Sequence, residues 1–117
     1  MKLPITKSSL SDPQQRLIAL MQYLNFGRIE ALRVIRGEPV FEPPPRIIQK
    51  LKLGGENGPR PEASLPDFWL KQQTVEMLRA IAELADGVVS VIEVKHGLPY
   101  AVEIERQPGQ VGGRAGA

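Results

Sequence analysis

The chain has no cysteine, one histidine and one tryptophan, and aromatic residues fill only 5% of its 117 positions. Without thiols it forms neither disulfides nor thiolate metal sites. The single histidine, His96, leaves a catalytic triad or a multi-histidine metal site without its second member. No apolar run approaches the roughly 18 residues that a membrane-crossing helix needs. The opening Met1-Lys2-Leu3-Pro4-Ile5-Thr6-Lys7 lacks the apolar stretch of a secretion signal. Gly54-Gly55-Glu56-Asn57-Gly58 has neither the lysine nor the strand-to-helix setting of a phosphate-binding loop. A cytoplasmic protein with no membrane association and no cofactor is the expectation.

What is present reads as one globular domain over residues 1–117, with 42% hydrophobic and 24% charged residues. The net charge of +2 conceals a polarity. Residues 1–60 hold ten Lys/Arg against five Asp/Glu, and residues 61–117 hold five against eight, so the halves stand at +5 and −3. Such polarity steers a charged partner or a second copy. It falls short of the basic excess of a dedicated nucleic-acid binder.

Residues 12–42 form a first helix–hairpin segment. Asp12 suits an N-cap, Pro13 the first helical position and Gln15 a capping box. Leu17, Leu20, Met21 and Leu24 then follow the spacing of one buried stripe. Gly27 is expected to stop the helix in a left-handed conformation. Arg28 to Ile35 reads as a strand, Arg36-Gly37-Glu38-Pro39 as a turn, and Val40-Phe41 as the start of the return strand. The same order recurs in residues 64–106. Ser64-Leu65-Pro66-Asp67 opens a helix carrying Leu70, Thr74, Met77, Leu78, Ile81 and Leu84, which Gly87 stops. Val88 to Lys95 is a strand, His96-Gly97-Leu98-Pro99 a turn, and Tyr100 to Arg106 the return. At a constant offset of sixty positions Leu24 meets Leu84, Gly27 meets Gly87, Val34 meets Val94, Gly37 meets Gly97 and Pro39 meets Pro99.

An isolated hairpin is marginal in water, so each unit needs the other to cover its apolar face. The expected fold is α+β: two αββ repeats forming a pseudo-twofold antiparallel four-stranded sheet with both helices on one face. Strict alternation points Leu32, Val34, Ile92 and Val94 at the helices. It places Ile29, Ala31, Arg33, Val89, Val91, Glu93 and Lys95 on the open face, as the surface for a partner. Residues 43–63 are a Pro/Gly-rich connection containing Pro43-Pro44-Pro45, with an edge strand over 46–53 or a short helix ended by Gly54. Residues 107–117 have the composition of a disordered tail.

The succession of helix, Phe26-Gly27, alternating strand, turn glycine and return strand resembles the very short bacterial YezD-like proteins. Val102-Glu103-Ile104-Glu105-Arg106 is similar to the end of their hairpin, and residues 15–42 and 75–106 would be the two copies. The chain departs from that pattern where Arg36 and His96 stand in place of the usual aspartate before the turn glycine, and in its polyproline insert. The resemblance implies a fold and carries no activity with it.

Three functional classes remain. The preferred one is a non-catalytic binding or assembly module that recruits a protein partner or a second copy through the open sheet face or an edge strand. The second is weak nucleic-acid binding by Arg28, Arg33, Arg36, Arg46, Lys50 and Lys52, with Phe41 or Tyr23 stacking on bases. The competing reading, favoured because Glu30, Glu38 and Glu42 dilute the patch, is that the lysines guard an exposed sheet edge. The third is an enzyme using the strand carboxylates Glu103 and Glu105, which alternation puts on one face. His96, in a turn, reads as a solvated loop residue, Glu76 and Glu83 as solubility residues on a helix, and Phe68 and Trp69 as core or a lid over the helices.

Overall fold

The computed structural model describes residues 6–54 and 71–105. In chain order these form α1 (Asp12–Leu24), β1 (Gly27–Ile35), β2 (Glu38–Val40), β3 (Arg46–Gln49), α2 (Gln72–Leu84), β4 (Gly87–Lys95) and β5 (Leu98–Ile104). The protein is α+β, with two helices against an antiparallel sheet of five strands. The sheet runs β2-β1-β4-β5, and β3 also pairs with β1. β2 and β3 share one edge of β1. Arg33 to Ile35 pair with β2, and Gly27 to Glu30 pair with β3. The polyproline segment spans the break between these two short strands. The expected edge strand over 46–53 is thus realised in its first four residues, in place of a helix.

Both helices begin and end differently from the expectation. Ser11, not Asp12, caps α1. Its Oγ accepts from the Gln14 backbone N–H at 3.3 Å, and Gln14 Oε1 accepts from the Ser11 N–H at 3.0 Å. Asp12 falls in the first turn, where its charge suits the helix dipole. The Ser11 hydroxyl also donates to Glu38 Oε1 at 2.7 Å, which ties the helix start to β2. α2 begins at Gln72 behind Lys71, with no side-chain cap. The expected opening at Ser64 to Asp67, together with Phe68, Trp69, Leu70 and the 107–117 tail, lies outside the described residues. The helices stop instead at Asn25 and Ala85, two residues ahead of Gly27 and Gly87, each with φ 64° and with ψ −55° and −68°, in tight turns where the Phe26 N–H donates to the Leu24 carbonyl and the Asp86 N–H to the Leu84 carbonyl, both at 2.7 Å.

Gly27 is required for a different reason. It sits so close to β3 that a Cβ there would collide with the Ile48 carbonyl oxygen. The two hairpin turns conform to expectation. Arg36 and Gly37 take φ 54° and 78°, and His96 and Gly97 take 56° and 74°. Positive φ at both central residues is the turn whose twist matches that of the flanking strands.

The core lies between the helices and one sheet face. Leu17, Ile18, Met21 and Leu24 of α1 and Met77, Leu78, Ile81 and Leu84 of α2 are buried. They meet Ile29, Leu32, Val34, Val89, Ile92 and Val94 of the two central strands in one cluster. α1 lies over β2, and α2 over β5. Strict alternation fails here. Ile29 and Leu32 both face inward, as do Val89 and Ile92, and all four are fully buried. The phase of β1 reverses at Ala31, whose φ is 59°, between the stretch that pairs with β3 and the stretch that pairs with β2. In β4 the register against β5 slips by one between Val89 and Val91. Ile29 and Val89 therefore belong to the core and not to the open face, because a bulge turns the strand over. Ala31, Arg33, Val91, Glu93 and Lys95 remain on the open side, each exposed or half-buried.

Two variants test this account. Ala31→Gly relieves a left-handed alanine and is expected to stabilise the fold by about 0.5–1 kcal/mol, read as a raised urea midpoint. Gly27→Ala must push β3 off β1 and is expected to cost about 3 kcal/mol. An unchanged midpoint for Gly27→Ala would mean that β3 does not lie against that glycine.

Candidate basic cleft

Antiparallel pairing decides which of the sequence-predicted cations can meet. β1 pairs with β4 from Gly27↔Val94 to Val34↔Gly87. The start of β1, the end of β3 and the end of β4 therefore lie together at one end of the sheet. A cleft of about 720 Å³ opens there, and its cations are Arg28, Lys50, Lys52 and Lys95. Phe26 and His96 form an aromatic wall, with ring centroids 4.8 Å apart and a T-shaped inclination of 69°. Lys52 holds its Nζ 4.1 Å from the Phe26 ring centroid, and Lys95 holds its Nζ 4.0 Å from that of Tyr100. Cation–π contacts of this kind contribute about 0.5–1 kcal/mol at exposed sites. They fix where the two ammonium groups lie.

Backbone bonds hold the cleft together. The Lys50 N–H donates to the Phe26 carbonyl at 2.8 Å, and the Gly97 N–H donates to the Asn25 carbonyl at 2.9 Å. Both bonds converge on the segment between α1 and β1. Glu93 is the one carboxylate among the cleft-lining residues. It stands opposite Arg28 in the β1–β4 register, where unlike charges favour the pair.

Of the six candidate phosphate-binding cations, Arg28, Lys50 and Lys52 come together and the other three do not. Arg46 is at the far end of β3, with its Nε 3.8 Å from Glu30 Oε1. The same carboxylate holds Arg28, Nε to Oε2, at 3.0 Å. Arg33 lies mid-strand, opposite Val88 and Val40. Arg36 sits on the turn at the other end of β1, roughly 30 Å away at about 3.3 Å per residue. The two aromatics expected to stack beside the cations are also elsewhere. Phe41 is buried beneath the Arg16 guanidinium at 4.4 Å. It and Tyr23 line a separate apolar groove of about 410 Å³ with Leu20, Pro44, Pro45 and Ile47.

The sequence reading missed Phe26, His96 and Lys95 as members of the cation site. The available signal was that Phe26 directly precedes the first strand, and that an antiparallel β4 must bring its terminal Lys95-His96 beside it. Glu103 and Glu105 are exposed, with Glu103 on the outer strand β5. Among the described residues no group of three or more acidic or histidine side chains is placed to hold a metal, and no helix is long and apolar enough to cross a membrane. No protein-family model, curated protein or solved structure matches this chain.

Lys50 and Lys52 are exposed, so their removal leaves the core intact. The double variant Lys50→Ala/Lys52→Ala is expected to stay within about 1 kcal/mol of the parent in urea unfolding. A larger loss would make these lysines structural.

Proposed function

We propose that the protein is a small non-catalytic binding module, made by tandem duplication of one αββ unit, that engages an anionic partner at the basic cleft. The observation carrying this reading is that Arg28, Lys50, Lys52 and Lys95 line one cleft together with the Phe26–His96 pair, with Glu93 as the one carboxylate among the lining residues. Clefts lined by one sign of charge concentrate oppositely charged ligands and speed their arrival.

The duplication is supported by correspondences at the sixty-residue offset. The inward residues of the central strands are Ile29, Leu32 and Val34 in one and Val89, Ile92 and Val94 in the other. Both helices have 13 residues and both central strands have nine. The positive-φ positions Asn25 and Ala85, and Arg36 and His96, correspond as well. The pairing Gly27↔Val94 becomes Val34↔Gly87 under the same shift. Each turn glycine also reaches across. The Gly37 N–H donates to the Ala85 carbonyl at 2.7 Å, and the Gly97 N–H donates to that of Asn25 at 2.9 Å. Two YezD-like units fused in one chain would give this pattern.

A second reading is recruitment of a protein or a second copy along β5, whose outer edge has no partner among the described residues. The edge itself speaks against strand addition. It carries Pro99, a register irregularity beside Tyr100, and the exposed Glu103, all devices that discourage edge pairing. The cleft has no such protection.

An NMR titration of the whole chain with anions of several kinds tests the reading, using inorganic tripolyphosphate, a single-stranded oligonucleotide and polyglutamate. At ~50 mM salt, at least one is expected to shift the amides of Phe26, Lys50, Lys52, Lys95 and His96, with the effect fading by ~200 mM. If none of the three moves those amides, the binding function is wrong.

A further inference from the structure

The helices cover one face of the sheet and leave the other bare. Ala31 and Arg33 are exposed on that second face, and Ile48, Val88, Val91 and Ala101 are half-buried beside them. Charge is divided between its two sides. β1 and β3 contribute Arg28, Arg33 and Arg46 against Glu30, which holds Arg28 at 3.0 Å and Arg46 at 3.8 Å. β4 and β5 contribute Glu93 and Glu103 against Lys95, whose ammonium lies on the Tyr100 ring. Neither Glu93 nor Glu103 has an ion-pair partner among the described residues. The face is therefore positive over β1 and β3 and negative over β4 and β5.

Strand register sets these groups in rows. One row reads Ile48, Arg28, Glu93, Ala101 from β3 across to β5. The next reads Arg46, Glu30, Val91, Glu103. A two-fold axis parallel to the strands, between two copies packed face to face, lays each row over its own reverse. Arg28 then meets Glu93 of the second copy, Ile48 meets Ala101 and Arg46 meets Glu103, and the symmetry repeats each contact. Val91 falls on Glu30, whose charge its own two arginines offset. Packed sheets stand about 10 Å apart, a gap that an arginine and a glutamate reaching from opposite sides can close.

We propose that a second copy of this chain covers the bare face, in a two-fold dimer with sheet packed on sheet. The alternative two-fold axis, across the strands, lays β1 over β1 and sets arginine against arginine. The face is its own complement only in the first arrangement, so a second copy is the partner it fits. The area suits a reversible dimer. Four strands about 4.8 Å apart and nine residues at about 3.3 Å each give roughly 19 by 30 Å, or about 570 Å² per copy. Standard interfaces bury about 800 Å² per partner and transient ones less, so monomer and dimer are expected to exchange. The inference is independent of the anion-binding reading, although Arg28 and Glu93 also line the cleft.

Sedimentation equilibrium of the whole chain, from ~10 µM to ~1 mM at ~50 mM salt with no anionic ligand added, tests the proposal. The apparent mass is expected to rise towards two chains, and to rise less at ~500 mM salt. Arg28→Glu alone and Glu93→Arg alone each set like charges together twice per dimer. Each is expected to weaken association at least about tenfold. An equimolar mixture of these two variants is expected to associate again, because every such contact between unlike copies then joins opposite charges. Mixing does not mend a change confined to one chain's own fold. Tyr23→Ser, on the exposed surface of α1, is expected to leave the mass unchanged.

A chain that stays monomeric throughout the range overturns the proposal. So does association that survives both charge reversals, or a mixture of the two variants that stays monomeric while each is folded by circular dichroism. Association lost in Tyr23→Ser and kept in the reversals would put the contact on the helix side, and overturns it equally.

Discussion

The pairing of β1 with β4 is the constraint from which the rest of the molecule follows. These nine-residue strands lie antiparallel at the centre of the sheet, and each turns over once, so that Ile29, Leu32 and Val34 share a face with Val89, Ile92 and Val94. Ile29 stands opposite Ile92, and Leu32 opposite Val89. A slip of one residue would send one strand's apolar set toward solvent. Burying a side chain of this size stabilises the fold by roughly 1.5–3 kcal/mol, so the register is held by several such side chains at once. Both helices depend on that face for their own burial, because helices of this length have little stability alone.

The pairing also explains how the halves are locked. Each hairpin tip ends beside the C-terminus of the other half's helix, where Asn25 or Ala85 has left the helical path with its carbonyl unpaired within the helix. The turn glycines donate to those two carbonyls. A helix end left without partners costs free energy when it is shielded from water. The cross-contacts therefore make each half supply the other's missing donor. Such reciprocity ties the helix ends, the turns and the central register into one cooperative arrangement.

Much of this was readable from residue order, and the failures share a cause. The helices, the turns at Arg36-Gly37 and His96-Gly97, and the strand beginning at Arg46 are local features, and local chemistry announced them. The faces of the central strands were half right. Alternation placed Leu32, Val34, Ile92 and Val94 inward but could not see a bulge whose left-handed residue is an alanine. Had Ala31 been glycine, the interruption would have been visible. The helix stops were displaced for the same reason. Glycine commonly marks a left-handed stop, yet here Asn25 and Ala85 end the helices in tight three-residue turns, and Gly27 is held by the proximity of Ile48. The cleft was the least legible part. Its cations come from β1, β3 and β4, and only the pairing of those strands tells Lys95 from Arg36 as a neighbour of Lys50.

The two ends of the β1–β4 pair differ in chemistry. At one, a carboxylate meets a turn N–H and an isoleucine stands where the other end has lysine. At the other, Phe26 takes the carboxylate's place and β3 closes the side. The central face must keep its shape for both halves at once, because a change in either strand is felt by its partner. The ends carry no such obligation. The recess around Phe26 lies at such an end, lined from the start of β1, the end of β3 and the end of β4, where side chains vary without disturbing the inward set of the central strands.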